Sequence, residues 1–271
     1  MNKTELLQQL QQYEWTSHNI QLTDTITTLA DQVLLADDNR MQTIKQNVYL
    51  FCKKPTEAKQ RSLDLGCLEG GLTIEMAKLG FDSLGVEGQD SNYQKCDSLQ
   101  QYFDWDNLKF LLMDVKQLNP QQHGLFDVIL CCGLLYHLDH PVSFLAQMAT
   151  LLETQGFVFV DTHIAPASDA ALADCVFQAD LSELTEISYQ DQTYRGRWYH
   201  EYDQESDKNA WTSVSNRRSF WLLEDDLIRA LNHAGFSQIY KPYGMFEVEQ
   251  EFELRKQYSR SYYVAVKPDY F

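Results

Sequence analysis

The sequence predicts an open α/β fold with a mostly parallel sheet, and three observations carry that expectation. From residue 61 onward, short apolar runs alternate with amphipathic helical patterns, the signature of strand–helix–strand units. The first three runs end on a glycine turn, a glutamate and an aspartate, at the strand ends where open α/β sheets bind ligands. The length of 271 residues can bury a sizeable core and fits one enlarged domain better than two complete ones.

The elements follow in order. Residues 1–55 read as a helical N-terminal extension: Leu6, Leu7, Leu10 and Tyr13 recur at helical spacing, and Met41, Ile44, Val48 and Phe51 do so again. Between them, the stretch from Trp15 to Ile20 mixes aromatic and polar residues as a loop does. Residues 56–271 form the main domain. Strand one is Ser62–Gly66, followed by a glycine turn and a helix in which Leu72, Met76 and Leu79 share a face before Gly80 ends it. Strand two is Ser83–Glu87, and the next helix carries Tyr93, Cys96, Leu99 and Phe103. Strand three, Lys109–Met113, stops at Asp114; strand four is Phe126–Cys131, and strand five is Gly156–Val160 after a helix bearing Val142, Leu145, Met148 and Leu152.

The pattern then breaks for about sixty residues, a length that in a compact domain marks a functional insertion or lid. This insertion, at about 165–221, contains Tyr189, Tyr194, Trp198, Tyr199, Tyr202, Trp211, Phe220 and Trp221. Order resumes with the helix Glu224–Leu231, the strand Ser237–Tyr240 and a last strand near Ser261–Val266.

Composition excludes several classes of function. The 22 Lys and Arg against 39 Asp and Glu give a net charge of -17, which repels polyphosphates and disfavours nucleic acid as a partner. The basic pairs Arg217-Arg218 and Lys53-Lys54 are too short to make a patch. No membrane span is expected, because the apolar stretch from Val128 to Leu135 falls far short of roughly 20 residues. The N-terminus lacks the apolar region of a secretory signal, and the six cysteines lack CxxC spacing. A cytoplasmic protein with reduced thiols is the expectation.

Function is concentrated at three strand ends. The turn from Asp64 through Gly66, Leu68, Glu69 and Gly70 to Gly71 lets backbone and ligand approach closely as a helix begins. Glu87, about 20 residues further on, can accept hydrogen bonds from both ribose hydroxyls. Asp114, with the backbone of Val115, suits the exocyclic amine of adenine. A dinucleotide would need a glycine where Leu68 stands, so that its pyrophosphate could sit on bare backbone. S-adenosylmethionine carries no phosphate, and a side chain there is more easily tolerated.

These residues resemble a family. Leu63–Gly70, Glu87, Asp114 and the segment Phe126–Pro141 look like the motifs of class I S-adenosylmethionine-dependent methyltransferases. The resemblance implies a Rossmann-like seven-stranded sheet of order 3-2-1-4-5-7-6, with the last strand reversed. It assigns the co-substrate site to Asp64, Gly66, Leu68, Glu69, Gly70, Glu87, Gly88, Asp114, Val115 and Cys132. Leu68 departs from the glycine that most members carry. The segment Gly133–Leu138 is also similar to tRNA wobble-uridine carboxymethyltransferases and to natural-product methyltransferases.

Methyl transfer is an in-line displacement, so alignment of the acceptor and exclusion of water come first, with a base where the acceptor holds a proton. Candidates are Tyr136 and His137 after strand four, Asp161 and His163 after strand five, and Trp198, His200 and Glu201 in the insertion. His163 is the first choice of base. His137, Asp139 and His140 could suggest a metal, but Pro141 places them on a helix-starting turn, and no metal is expected. The insertion aromatics, interleaved with Glu201, Asp203 and Glu205, favour a cationic or amine acceptor. Trp15 and His18 are candidates to close the pocket from the N-terminal side. The expected activity is methyl transfer to an oxygen or nitrogen of a small-molecule acceptor, with homodimerisation left open. A tRNA modifier, a non-catalytic S-adenosylmethionine-binding protein and a dinucleotide oxidoreductase are the alternatives.

Overall fold

A computed structural model describes residues 2–52, 59–201, 211, 213–243, 253 and 255–269. The chain opens with α1 (Lys3–Gln12), started by a capping box in which Asn2 accepts from the Thr4 and Glu5 N–H groups and Glu5 answers to the Asn2 N–H. A largely irregular stretch follows, ending in a 3₁₀ turn at Leu35–Asp37. Then comes α2 (Asn39–Phe51), capped by Asp38 on the Met41 N–H at 2.6 Å. The N-terminal region is therefore helical only at its two ends.

The main sheet begins with β1 (Arg61–Leu65), α3 (Gly71–Lys78), β2 (Asp82–Glu87), α4 (Asp90–Phe103) and β3 (Leu108–Leu112). After the short α5 (Pro120–His123) come β4 (Phe126–Cys132), α6 (Pro141–Leu151) and β5 (Leu152–His163). The insertion carries α7 (Asp169–Ala173), β6 (Thr185–Tyr189), β7 (Gln192–His200) and β8 (Arg218–Leu222), and the chain closes with α8 (Glu224–His233), β9 (Gln238–Tyr240) and β10 (Arg260–Val266). The large sheet runs β3-β2-β1-β4-β5-β10-β9, with only β10 antiparallel to its neighbours. This is the expected Rossmann-like order, with β9 and β10 as sixth and seventh strands. Strand order reverses at β1, which pairs with both β2 and β4, and the crevice above that point is where such sheets take ligands.

Strand alternation sends successive side chains to opposite faces. Ile129, Cys131, Val158 and Val160 pack with Leu145 and Met148 of α6 and Leu227 and Leu231 of α8. Val128, Leu130, Phe157 and Phe159 meet Met41, Ile44 and Val48 of α2 and Leu72 and Met76 of α3 on the other face. The helix α1 lies outside this pair of layers, its Leu6 and Leu10 against Leu99 and Tyr102 of α4.

The insertion is a folded sheet of its own, β6-β7-β8, all antiparallel. A two-residue hairpin at Gln190-Asp191 joins β6 to β7, with Gln190 at φ 50°. At Gly196 a side chain would stand 2.1 Å from the Trp221 carbonyl, so only glycine lets β8 approach. Tyr194, Tyr199, Phe220 and Trp221 are buried as core between this sheet and the main one.

Candidate active site

A cleft opens at the strand ends above β1 and β4. Asp64, Gly66, Leu68, Glu87, Gly88, Asp114, Val115 and Cys132 all line it, so three strand-end tips and the end of β4 converge as the sequence predicts. Burial raises the carboxyl of Asp64 to about 6, against the Thr73 hydroxyl that donates to it at 2.7 Å. Glu87 accepts the N–H groups of Leu68 and Gln89, both at 2.8 Å, which fixes the turn and the carboxylate together. Leu68 holds φ 53°, a left-handed conformation that favours glycine and that the Glu87 bond helps to impose. Gly88 faces Val214, so the segment around Ser213–Asn216 forms a further wall.

Two residues of the turn point elsewhere. A side chain on Gly70, at φ 77°, would lie 2.7 Å from the Phe110 ring, so this glycine serves the packing of α3 on β3 rather than a ligand. Glu69 is fully buried and faces the N-terminal segment. Its carboxylate accepts the N–H groups of Thr16, Ser17 and His18 at 2.7, 3.1 and 2.9 Å, the Thr16 hydroxyl at 3.1 Å, and the Lys95 ammonium at 2.8 Å. Burial alone would raise its pKa; the His18 N–H and Lys95 outweigh that and hold it low.

This clamp brings Ser17 and His18 into the cleft wall, whereas Trp15 is buried beneath it with its indole N–H on the Leu10 carbonyl. The His18 ring accepts the Gly71 N–H on Nδ1 at 3.1 Å, and burial lowers its pKa to about 4. The ring is therefore neutral with its proton on Nε2. Gly71 is required for this contact, since a side chain there would meet Leu35 at 2.4 Å and His18 at 2.9 Å.

Asp161 is buried at the end of β5 and ties together two arginines far apart in sequence. Arg260 grips it through Nε at 2.7 Å and Nη2 at 2.8 Å, and Arg40 of α2 reaches it through Nη1 at 3.3 Å. Burial would raise the Asp161 carboxyl, but Arg260 and then Arg40 hold it low. Both arginines line the cleft, and the buried Nε of Arg40 has no hydrogen-bond partner among the described residues. Neither was picked out from the sequence. Arg40 carried one signal: a cation in the first turn of a helix sits against the helix dipole, which calls for a compensating partner.

The candidate bases separate clearly. His137 lines the cleft and directs Nδ1 at Glu201, 2.9 Å from Oε1 and 3.2 Å from Oε2. Glu201 is buried and also accepts the Ser219 hydroxyl at 2.8 Å. Its charge is thus committed to His137 and Ser219, which removes it as an attractor of a cationic acceptor; Tyr202, Asp203 and Glu205 lie outside the described residues. His163 lines no part of this cleft. Its ring stacks on Trp221 at 4.6 Å and meets Tyr136 and Phe177 edge-on, with Nδ1 on the Tyr258 carbonyl at 2.8 Å. The twelve-residue β5 runs past its expected end and carries His163 into that aromatic core, so the first-choice base is structural. His200 is exposed, because alternation along β7 turns the neighbouring Tyr199 inward. Trp198 packs on Phe220 beneath Arg218. Tyr136 lines the cleft, and the Lys116 ammonium pairs with Asp139 at 3.0 Å. Among the described residues no group of three or more His, Cys, Asp or Glu could hold a metal ion.

The two buried histidines predict an acid-sensitive fold. Burial lowers His163, like His18, to about 4 in the folded state, against 6.5 for a free imidazole. The unfolded chain then binds more protons between those values, so stability is lost as pH falls from 6.5 toward 4, by up to roughly 3 kcal/mol for each ring. Asp64 acts in the opposite sense, its raised carboxyl favouring the folded state as pH falls below about 6. Urea denaturation of His163→Phe at pH 7 and pH 4.5 is expected to show a shallower acid-side loss than the parent protein. An unchanged slope would show that the ring carries its proton in the fold.

The strand order and the cleft at the strand ends define a protein of the open, Rossmann-like α/β class. Residues 37–241 match the family described as methyltransferase domains, and the chain belongs to it. The chain therefore carries a methyltransferase domain. A ubiquinone biosynthesis O-methyltransferase of Albidiferax ferrireducens is 33% identical over 105 residues, which are 39% of this chain and 42% of that protein. A tRNA U34 carboxymethyltransferase of Campylobacter concisus is 32% identical over 102 residues, 36% of this chain and 34% of the other. The chain thus spans about two fifths of the length of the first and a third of the second. The N-terminal domain of EvdMO1, solved with S-adenosylhomocysteine bound, has the same fold, with a TM-score of 0.70 and 22% identity over 100% of this chain and 98% of that one.

Proposed function

We propose that the enzyme transfers the methyl group of S-adenosylmethionine to a hydroxyl oxygen of a small molecule, with His137 taking the hydroxyl proton. The observation that carries this reading is the His137–Glu201 pair. An acceptor hydroxyl is a weak nucleophile until a base removes its proton, and positioned bases contribute about 10²–10⁴ in rate. Glu201 accepts a hydrogen bond from Nδ1–H, which leaves the Nε2 lone pair of a cleft-lining ring free to serve as that base.

The remaining wall suits the co-substrate. Glu87 and Asp114 would hold the ribose and the adenine, and the methionine carboxylate is the group that answers the unpartnered Nε of Arg40 and the Nε2–H of His18. The relative named as an O-methyltransferase, and the fold neighbour also solved with the sugar D-fucose, support a hydroxylated acceptor. The net charge of -17 disfavours RNA.

The test is methyl transfer from labelled S-adenosylmethionine to matched panels of phenols, sugars and amines, with the product bond assigned by mass spectrometry. Labelled ethers support the reading. Labelled amines with no ether, or labelled tRNA in preference to either panel, would overturn it.

A further inference from the structure

The acceptor half of the cleft presents hydrogen-bond donors over one bare backbone position. Gly133 follows β4 at φ 84°, with its N–H on the Asp161 carbonyl at 2.9 Å. A side chain there would approach the Tyr136 hydroxyl at 3.6 Å and Arg260 Nη2 at 3.7 Å. Both groups are held in place. The Tyr136 ring lies against His137 and His163, each at 4.3 Å between centroids, and its carbonyl accepts the Trp221 indole N–H at 2.9 Å. Arg260 uses Nε and Nη2 on the two oxygens of Asp161. That pairing consumes one edge of the guanidinium and leaves the Nη1–Nη2 edge uncommitted to Asp161, in a side chain that lines the cleft.

The Tyr136 hydroxyl stands in the cleft wall with no hydrogen-bond partner among the described residues. A cleft-lining hydroxyl with no protein partner is free to bond a ligand as donor or acceptor. A fixed guanidinium edge matches a planar carboxylate, and the match is geometric as well as electrostatic. The co-substrate's own carboxylate has a separate claimant. Arg40 reaches Asp161 from α2, and its charge acts on His18 and Asp64 as well as on Tyr136, while Arg260 stands directly by Gly133 and Tyr136.

We infer that the acceptor is a hydroxy acid whose carboxylate is bound by the free edge of Arg260 and the Tyr136 hydroxyl, which places its alcohol at His137. This rests on the reading of the cleft as a hydroxyl methyltransferase site. The anion would sit where a protein of net charge -17 turns a cation inward, so charge selects it against neutral analogues.

The experiment titrates the protein, saturated with S-adenosylhomocysteine, with hydroxybenzoate isomers and D-galacturonate, each against its methyl ester, by calorimetry. At least one acid is expected to bind about ten-fold or more tightly than its ester. Arg260→Gln is expected to erase that difference and Tyr136→Phe to narrow it about three-fold or more, with S-adenosylhomocysteine affinity changed by less than about two-fold in both. Esters that bind as well as acids, no acid binding at millimolar concentration, or a matching loss of S-adenosylhomocysteine affinity in Arg260→Gln would each overturn the inference. If the parent protein failed to bind S-adenosylhomocysteine at all, the underlying reading would fall, and this one with it; loss of the acid preference alone removes only the hydroxy acid.

Discussion

Replacing His137 by asparagine is expected to lower kcat by about 10²–10⁴ while leaving S-adenosylhomocysteine affinity nearly unchanged. Asparagine is short enough to keep an amide N–H toward Glu201 but offers no nitrogen lone pair to the cleft. The loss therefore isolates proton transfer from binding. Glu201→Gln is the companion variant. Its amide cannot enforce the Nδ1–H tautomer, and at least about a ten-fold fall in kcat is expected from a ring that presents the wrong nitrogen. Wild-type turnover by His137→Asn, on whichever acceptor the panel assay returns, would show that the acceptor needs no base from this chain.

The second large effect concerns stability. Glu69→Ala removes the acceptor for three backbone N–H groups, one hydroxyl and the ammonium of Lys95, itself only 7% exposed. Stripping one partner from a buried ion pair commonly costs 3–5 kcal/mol, and a loss of about that size is expected in urea denaturation. Binding should suffer as well, because the clamp holds Ser17 and His18 in the cleft wall. The double variant Glu69→Leu with Lys95→Met separates the two effects. An apolar replacement of the pair should recover part of the stability without restoring S-adenosylhomocysteine affinity. Unchanged stability in Glu69→Ala would mean that the N-terminal segment is held by its apolar contacts alone.

The main sheet was legible because its strands are bounded by glycine turns and single acids, and because the hydrophobic period changes from two to nearly four at each crossover. The nucleoside side of the cleft was legible for the same reason: Asp64, Glu87 and Asp114 sit at strand ends, and strand ends can be read locally. The opposite wall could not be read that way. Arg40, Asn216 and Arg260 come from a helix start, a turn and the first residue of β10, and only tertiary packing brings them together.

Histidine at a strand end carried the same ambiguity. His137 and His163 each follow a strand, yet one meets a buried glutamate and the other an indole face, and neither partner is near in sequence. The small sheet was more legible than the broken pattern suggested. Thr185–Tyr189 alternates along its length, and Gln190-Asp191 is a tight connection, but aromatic residues on both faces of β7 and β8 obscured the period of two.

Asp161 joins α2, β5 and β10 through a single carboxylate shared between two guanidiniums. Its two oxygens take three N–H groups from the two guanidiniums, within the roughly four lone-pair sites of a carboxylate. A single buried side chain thus rivets the N-terminal extension to the closing strand of the chain, so its loss would loosen both together.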